Sequence, residues 1–308
     1  MNPWLVTKTP AREQAAWAQD GSFLFATQAW GNVLEGLGCR VVYAWNRELG
    51  AGVVVPIFRM GPVQVGFLGF PVAGEAFDRL DAPTFTRYAE ALARAAGCHV
   101  VRGIQSMRPD ADPDGVALPD VWIENLGEWP GSRGKRIAKD LAYASRMLVD
   151  GSAVVESLRD PNAIWAMYRH AVLGHGGKVR YSGEYFRRLT LLCDGSAMAR
   201  GVSCIDAKDE TAGFAVLVRN GAVGYYLHGA VRDDARGLGV GDLLLARLIE
   251  LARGMELRRF DLMASPIAQP GLVRYKNKWG DHQGFALTRD VGCGPVGRAL
   301  CWIGGRLG

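Results

Sequence analysis

The chain has 308 residues, 49% of them hydrophobic and 22% charged, with a formal net charge of +5 at pH 7. That supplies a real core for one large or two medium domains, and the small basic excess suits an anionic ligand or nucleic acid as well as an ordinary solvated surface. No apolar run reaches the roughly 18 residues of a membrane span, and the N-terminus lacks the apolar stretch of a signal peptide. The six cysteines are scattered, with no C-x-x-C and no histidine at metal-ligand spacing. They read as mostly buried thiols in a reducing compartment, with no metal bound. A soluble cytosolic protein is expected, or one peripheral at the inner face of the membrane.

In chain order, Thr27 and Gly38 bracket a helix in "TQAWGNVLEGLG" as N-cap and C-cap. "RVVYAW", "GAGVVVPIFRM" and "VQVGFLGF" are β-branched and aromatic, separated by glycine turns, and read as strands. "APTFTRYAEALARAAG" reads as a helix and "HVVRGIQSM" as another strand. Arg108 to Asp120, rich in Pro and Asp, reads as an exposed loop. Arg133, Lys135, Arg136, Lys139 and Arg146 then mark a basic helix, either a solvated face or a landing strip for phosphates.

The second half repeats the rhythm. "PNAIWAMYRHAVLGHGG" and "GEYFRRLTLLC" read as helices. Three strands follow, the last two joined at Asn220-Gly221, a hairpin signal. The tail "PVGRALCWIGGRL" reads as a helix packed on the core or as a membrane foot. The pattern predicts an α/β (α+β) chain of two similar domains, at 1–150 and 151–308, with mixed, mostly antiparallel sheets flanked by helices.

One stretch carries most of the chemistry. Asp234 to Ala252 reads "DARGLGVGDLLLARLIELA", three glycines in five residues followed by a leucine stripe at Leu244, Leu248 and Leu251. A strand, a glycine loop and a helix start together aim open N–H groups at one spot, and the helix dipole adds positive character there. Glycine lets a ligand approach without a Cβ in the way. The inference is an anion site, best matched to a pyrophosphate and built from Arg236, Gly237, Gly239, Val240 and Gly241. Its spacing fits neither G-x-x-x-x-G-K-[ST] nor G-x-G-x-x-G. Asp242, in the first helical turn, suits the dipole but would repel an anion. On the strand before the loop, strict alternation places Tyr226 and His228 on one face.

The spacing Arg236-x-x-Gly239-x-Gly241 resembles the acyl-CoA pyrophosphate loop of the GNAT superfamily. The run from Tyr225 to Gly280, with "FLFATQAWGNVLEGLG", "RGKRIAKDLAYASRM" and "MYRHAVLGHGGKVRYSGEYFRRL" ahead of it in order, resembles FemAB-like proteins, including BioF2-like acetyltransferase domains. The resemblance covers most of the chain. It implies two tandem GNAT-like domains, transfer of an acyl or aminoacyl group to an amine, and a donor held by the second domain alone. It implies acetyl-CoA or another acyl-CoA as donor and a small-molecule or envelope-precursor acceptor, with aminoacyl-tRNA as the alternative donor.

Amine attack on a thioester needs a deprotonated amine, a stabilised carbonyl oxygen and a protonated leaving group. No Ser-His-Asp or Cys-His pattern is present locally, which favours direct transfer. The resemblance implies that Tyr275 protonates the leaving thiolate. Lys276 could steady the oxyanion as a point charge, or be a surface lysine. His228 is a candidate general base by its ordinary pKa, or a structural strand histidine. Arg180, Tyr181 and Tyr185 sit where the family places acceptor contacts, and Tyr226 and Ser265 are further candidates for substrate binding. Three functions stay open: an acyl-CoA-dependent N-acyltransferase acting on an envelope or exopolysaccharide precursor, an aminoacyl-tRNA-dependent transferase, and a non-catalytic GNAT-like binding module.

Overall fold

A computed structural model describes residues 2–19, 23–108, 116–148 and 152–307. Its elements run β1 (Trp4–Thr7), α1 (Arg12–Gln19), α2 (Gln28–Glu35), β2 (Arg40–Asn46), β3 (Ala51–Met60), β4 (Val63–Leu68), α3 (Glu75–Asp78), α4 (Ala82–Ala96) and β5 (Val100–Arg108). After β6 (Val116–Ile123) come α5 (Gly134–Met147), β7 (Ala153–Val155), α6 (Pro161–Gly174), α7 (Gly183–Gly195), β8 (Ala199–Ile205), β9 (Thr211–Asn220) and β10 (Val223–Val231). Then follow α8 (Val240–Gly254), β11 (Arg259–Asp261), α9 (Pro270–Trp279), β12 (His282–Gly292) and α10 (Gly294–Leu307).

Capping chemistry sets many of the helix starts. Thr27, Asp81, Asp160 and Ser182 each accept a backbone N–H at the first turn of α2, α4, α6 and α7. Pro161 opens α6, where its missing N–H costs nothing. Helix α2 stops at Glu35, two residues sooner than a Gly38 cap implied, and Gly38 takes a left-handed φ of 72° beyond it. Of the loop expected at 108–120, residues 109–115 lie outside the described residues. Val116–Asp120 are strand rather than loop.

The chain divides into two compact units, residues 1–120 with 284–308, and residues 121–283. In the first, the strand order is β1-β2-β3-β4-β5-β12, antiparallel throughout except for the parallel pair β4–β5. In the second it is β7-β8-β9-β10-β11-β6, again antiparallel except for the parallel pair β10–β11. Each unit is therefore a four-strand meander, a helical crossover to a parallel strand, and one more antiparallel strand. Each unit thus holds the mixed, mostly antiparallel strand set expected from sequence. A single cut near residue 150 does not describe the two units. α5 belongs with the second unit because Ile137 and Ala144 are buried and α5 packs on α8, and residues 284–308 return because β12 pairs with β5.

Each unit has its own core. Val42, Val53, Val55, Phe85 and Leu92 anchor the first, and Val202, Leu217, Leu244, Leu248, Phe260 and Trp279 the second. In the second, α5 and α8 cover one face of the sheet, while α6 and α7 pack on the other. The tail forms α10, whose Gly297 is buried against the backbone of His99 and Gly292 while Val296, Trp302 and Ile303 stay exposed. Among the described residues no helix is long and apolar enough to cross a membrane.

Candidate active site

Strand β10 is where the second sheet opens. β9 pairs with it from Val223 to Val231, but β11 pairs only with Val223, Gly224 and Tyr225. From Tyr226 onward no described strand pairs with one edge of β10, which leaves room there for an extended ligand. The strand also carries a β-bulge. Tyr226 lies opposite Leu217 and His228 opposite Val216, which leaves Leu227 as the extra residue.

The bulge corrects the expectation that Tyr226 and His228 share a face. Leu217 belongs to the α5/α8 core and Tyr226 packs against that core. His228 packs instead against Phe186 of α7, which also meets Phe214. The two side chains thus leave the strand on opposite faces. Gly229 makes room for Tyr226, because a Cβ at 229 would collide with the Tyr226 hydroxyl.

At the end of β10 the loop is partly folded. Residues Asp233–Leu238 form a 3₁₀ turn, and the Ala235 amide already donates to the Arg232 carbonyl at 3.0 Å. Amides at 236–238 are therefore engaged in i→i+3 bonding rather than open, and the expected convergence from 236 to 241 narrows to the last three residues. Gly239 sits at φ 77°, ψ 14° and turns the chain into α8. Among the described residues no side chain caps this helix, so the amides of Val240 and Gly241, which have no acceptor within the helix, stay open. Gly239 also allows close approach: a Cβ there would fall 2.5 Å from the Ala144 Cβ on α5. The Val240 side chain is buried, so only its backbone can face a ligand. Gly237 is exposed with open space around it. Arg236 is exposed and paired with Asp233 at 2.9 Å, and the other carboxylate oxygen of Asp233 meets His170 Nε2 at 2.6 Å.

α9 brings Tyr275 to this spot. Its hydroxyl donates to the Gly241 carbonyl at 3.0 Å. Burial, then the nearby Tyr226 and Asp242, push its pKa well above 10, so it stays a protonated hydroxyl. Burial likewise pushes Tyr226 up to about 12. Lys276 is turned away from this role. It is 4% exposed and its ammonium donates to the carbonyls of Met263 (2.6 Å) and Ala264 (3.3 Å), bracing a turn in which Met263 takes φ 64°. Neither the surface lysine nor the free point charge expected from sequence describes it. Ser265, beside that turn, is 1% exposed and its hydroxyl has no hydrogen-bond partner among the described residues.

His228 belongs to a separate aromatic cluster. Tyr185 places its hydroxyl 2.9 Å from His228 Nε2, and the rings of Tyr168, Tyr181 and Phe186 enclose the imidazole at 4.6–6.0 Å. Burial lowers its pKa to about 3, so the imidazole is neutral at pH 7 and a weak base. The near-neutral pKa assumed from sequence does not survive this environment. The structure brings Tyr181, Tyr185 and His228 together. Tyr185 is fully buried, whereas Arg180 is exposed, its backbone N–H donating to the Tyr168 hydroxyl at 3.2 Å.

Sequence reasoning passed over Lys278. Its Nζ lies 2.8 Å from both Asp242 Oδ2 of α8 and Asp140 Oδ2 of α5. The signal was its position three residues after Tyr275, which puts both on one helix face. The basic residues Lys135, Arg136, Lys139 and Arg146 of α5 are exposed on the helix that packs Ala144 against Gly239. Among the described residues no group of three or more His, Cys, Asp or Glu is placed to hold a metal.

Residues 135–277 match the family model described as an acetyltransferase (GNAT) domain. Among solved structures the chain is similar to FemX, with 11% identity, a TM-score of 0.60 and coverage of 92% of this chain and 96% of that one. It is similar to L-PGS from Bacillus licheniformis at 12% identity and TM-score 0.56, covering 97% of each chain. A tandem GNAT protein from the clavulanic acid biosynthesis pathway aligns at 16% identity and TM-score 0.50, over 95% of this chain and 99% of that one. No curated protein sequence matches. Residues 135–277 are thus similar to a GNAT-type acetyltransferase domain, and the whole chain has the fold of FemX and of a tandem GNAT protein, in keeping with the resemblance read from the sequence.

Proposed function

We propose that the chain is an N-acyltransferase that moves an acyl group from an acyl-CoA thioester to an amine. The observation that carries this is a coincidence of three features at one place: the unpaired edge of β10 after Tyr225, the uncapped start of α8 at Gly239–Gly241, and the Tyr275 hydroxyl between them. A diphosphate fits the open amides, and the linear arm of a CoA thioester fits a free strand edge. The GNAT family match over residues 135–277 supports a CoA-derived donor. The fold supports the broader reading of an acyl or aminoacyl transferase.

In the reaction, the acceptor nitrogen attacks the thioester carbonyl carbon, a C–N bond forms, the C–S bond breaks, and the nitrogen releases one proton to solvent. Backbone N–H groups on the free edge of β10 would steady charge on the carbonyl oxygen. Tyr275, held protonated by burial, would give its proton to the departing thiolate and regain one from solvent. His228 has no proton-transfer step in this scheme, since its imidazole is enclosed on the other face of the sheet. The amine therefore arrives as its free base. An amine-bearing precursor of the envelope or of an exopolysaccharide is the acceptor the FemAB resemblance implies, with Arg180 and Tyr181 on the acceptor side.

The test is direct binding. CoA should bind and raise the melting temperature, and Arg236→Glu should abolish the shift. Absence of binding and of stabilisation by CoA would sink the proposal. One observation favours a second reading, aminoacyl-tRNA as donor: the exposed cations of α5 lie beside the loop. That reading requires activity that RNase destroys and that falls steeply with salt.

A further inference from the structure

We propose that Lys278 is a positioning residue that keeps Asp242 off the anion site at the start of α8. The inference rests on the acyl-CoA reading above. Asp242 is in the first turn of α8, where the helix dipole draws a carboxylate toward the open amides. Left there, it would occupy the place of a phosphate group and repel one electrostatically. It does neither. Its carboxylate is drawn to Lys278 Nζ at 2.8 Å, and no side chain caps the helix.

The lysine is itself fixed. Asp140 of α5 holds the same ammonium at 2.8 Å, the ammonium stands 5.2 Å from the centre of the Trp279 ring, and the Lys278 side chain is only 12% exposed. Asp242 is 17% exposed, so its charge is poorly screened by water. The three groups carry one negative charge in total. Without Lys278 they would carry two, at the mouth of the proposed diphosphate site. Lys278 does not touch the donor in this scheme. It acts through Asp242, and Tyr275, one turn earlier on α9, is fixed to the same helix start by its bond to the Gly241 carbonyl.

The experiment is calorimetric titration of CoA into the full chain and into Lys278→Gln, Asp242→Asn and the double variant. Lys278→Gln should weaken CoA binding about tenfold or more, the scale of a charge at a partly buried helix end. Asp242→Asn should bind at least as tightly as the wild type, and the double variant within about threefold of Asp242→Asn. In turnover assays Lys278→Gln should raise the KM for donor with kcat little changed. Rescue by the second substitution is what a merely structural lysine would not give. A Lys278→Gln protein that binds CoA as the wild type does overturns the inference, as does a double variant as weak as Lys278→Gln. If Lys278→Gln does not fold, Asp242→Asn decides: binding weaker than wild type refutes the role. A wild-type chain that does not bind CoA overturns the acyl-CoA reading itself, a distinct result.

Discussion

Replacing His228 with Gln tests the environment assigned to the aromatic cluster. The imidazole has an ordinary pKa of 6.5 and a folded-state value of about 3, lowered by burial. Folding therefore excludes a proton that the unfolded chain takes up below pH 6.5. This contribution to stability is fully present above pH 6.5 and is lost as pH falls from there toward 3. Between pH 7 and pH 5 the loss works out at about 2 kcal/mol, from 1.36 kcal/mol per pH unit of differential protonation. Gln keeps an acceptor for the Tyr185 hydroxyl but does not titrate. Its pH 7 stability should be lower, because the imidazole packs against four aromatic rings, while its profile between pH 5 and 7 should be flatter than the wild type by that same amount. Denaturant unfolding at half-unit pH steps reads this directly, and melting temperatures should diverge by roughly 4 °C or more over the interval. Parallel profiles for the two proteins would show that the imidazole is solvated, and the packing described for the second unit would be wrong.

Other outcomes follow from the same geometry. Gly239→Ala should destabilise the fold by roughly 2–4 kcal/mol, from the left-handed backbone and the overlap with Ala144. Adding Ala144→Gly should return the overlap portion alone, which unfolding titrations would resolve. Tyr275→Phe should lower kcat by about 10²-fold or more with little change in donor binding, measured by steady-state kinetics and calorimetry; an unchanged kcat would remove Tyr275 as proton donor. Leu248→Ala, at a fully buried position in the second core, should cost about 2–5 kcal/mol by denaturant unfolding without altering CoA affinity per folded molecule.

Much of the fold was legible because the signals were local. Thr27 caps its helix as a Thr before a periodic apolar run should, and β9 and β10 join next to Asn220-Gly221. Two features were not local and could not be read. The bulge at Leu227 is decided by how β10 registers on β9, and it moves His228 to the other face from Tyr226 although their spacing of two predicts one face. The surroundings of Lys276 and Lys278 were equally hidden. Both are lysines of α9 two residues apart. One braces the Met263 turn and the other bridges two carboxylates from α8 and α5, and only tertiary packing distinguishes them.

The two units share a topology but differ where the proposed anion site lies, and the difference is physical. In the second, β10 runs through a 3₁₀ turn into a fifteen-residue helix whose first amides are open. In the first, the crossover from β4 to β5 starts at Gly69, φ 75°, where the backbone of Val72 and Ala73 presses so closely that a Cβ would collide with it. Val72 and Ala73 are buried, and the helix that follows, α3, is only four residues long. The longer α4 begins later, and the Asp81 side chain takes the Thr84 amide as its cap. So the first unit fills with side chains and an aspartate the positions that the second leaves to glycine. Replacing Asp81 with Gly or Lys should therefore change stability without creating CoA binding, because the preceding chain remains packed.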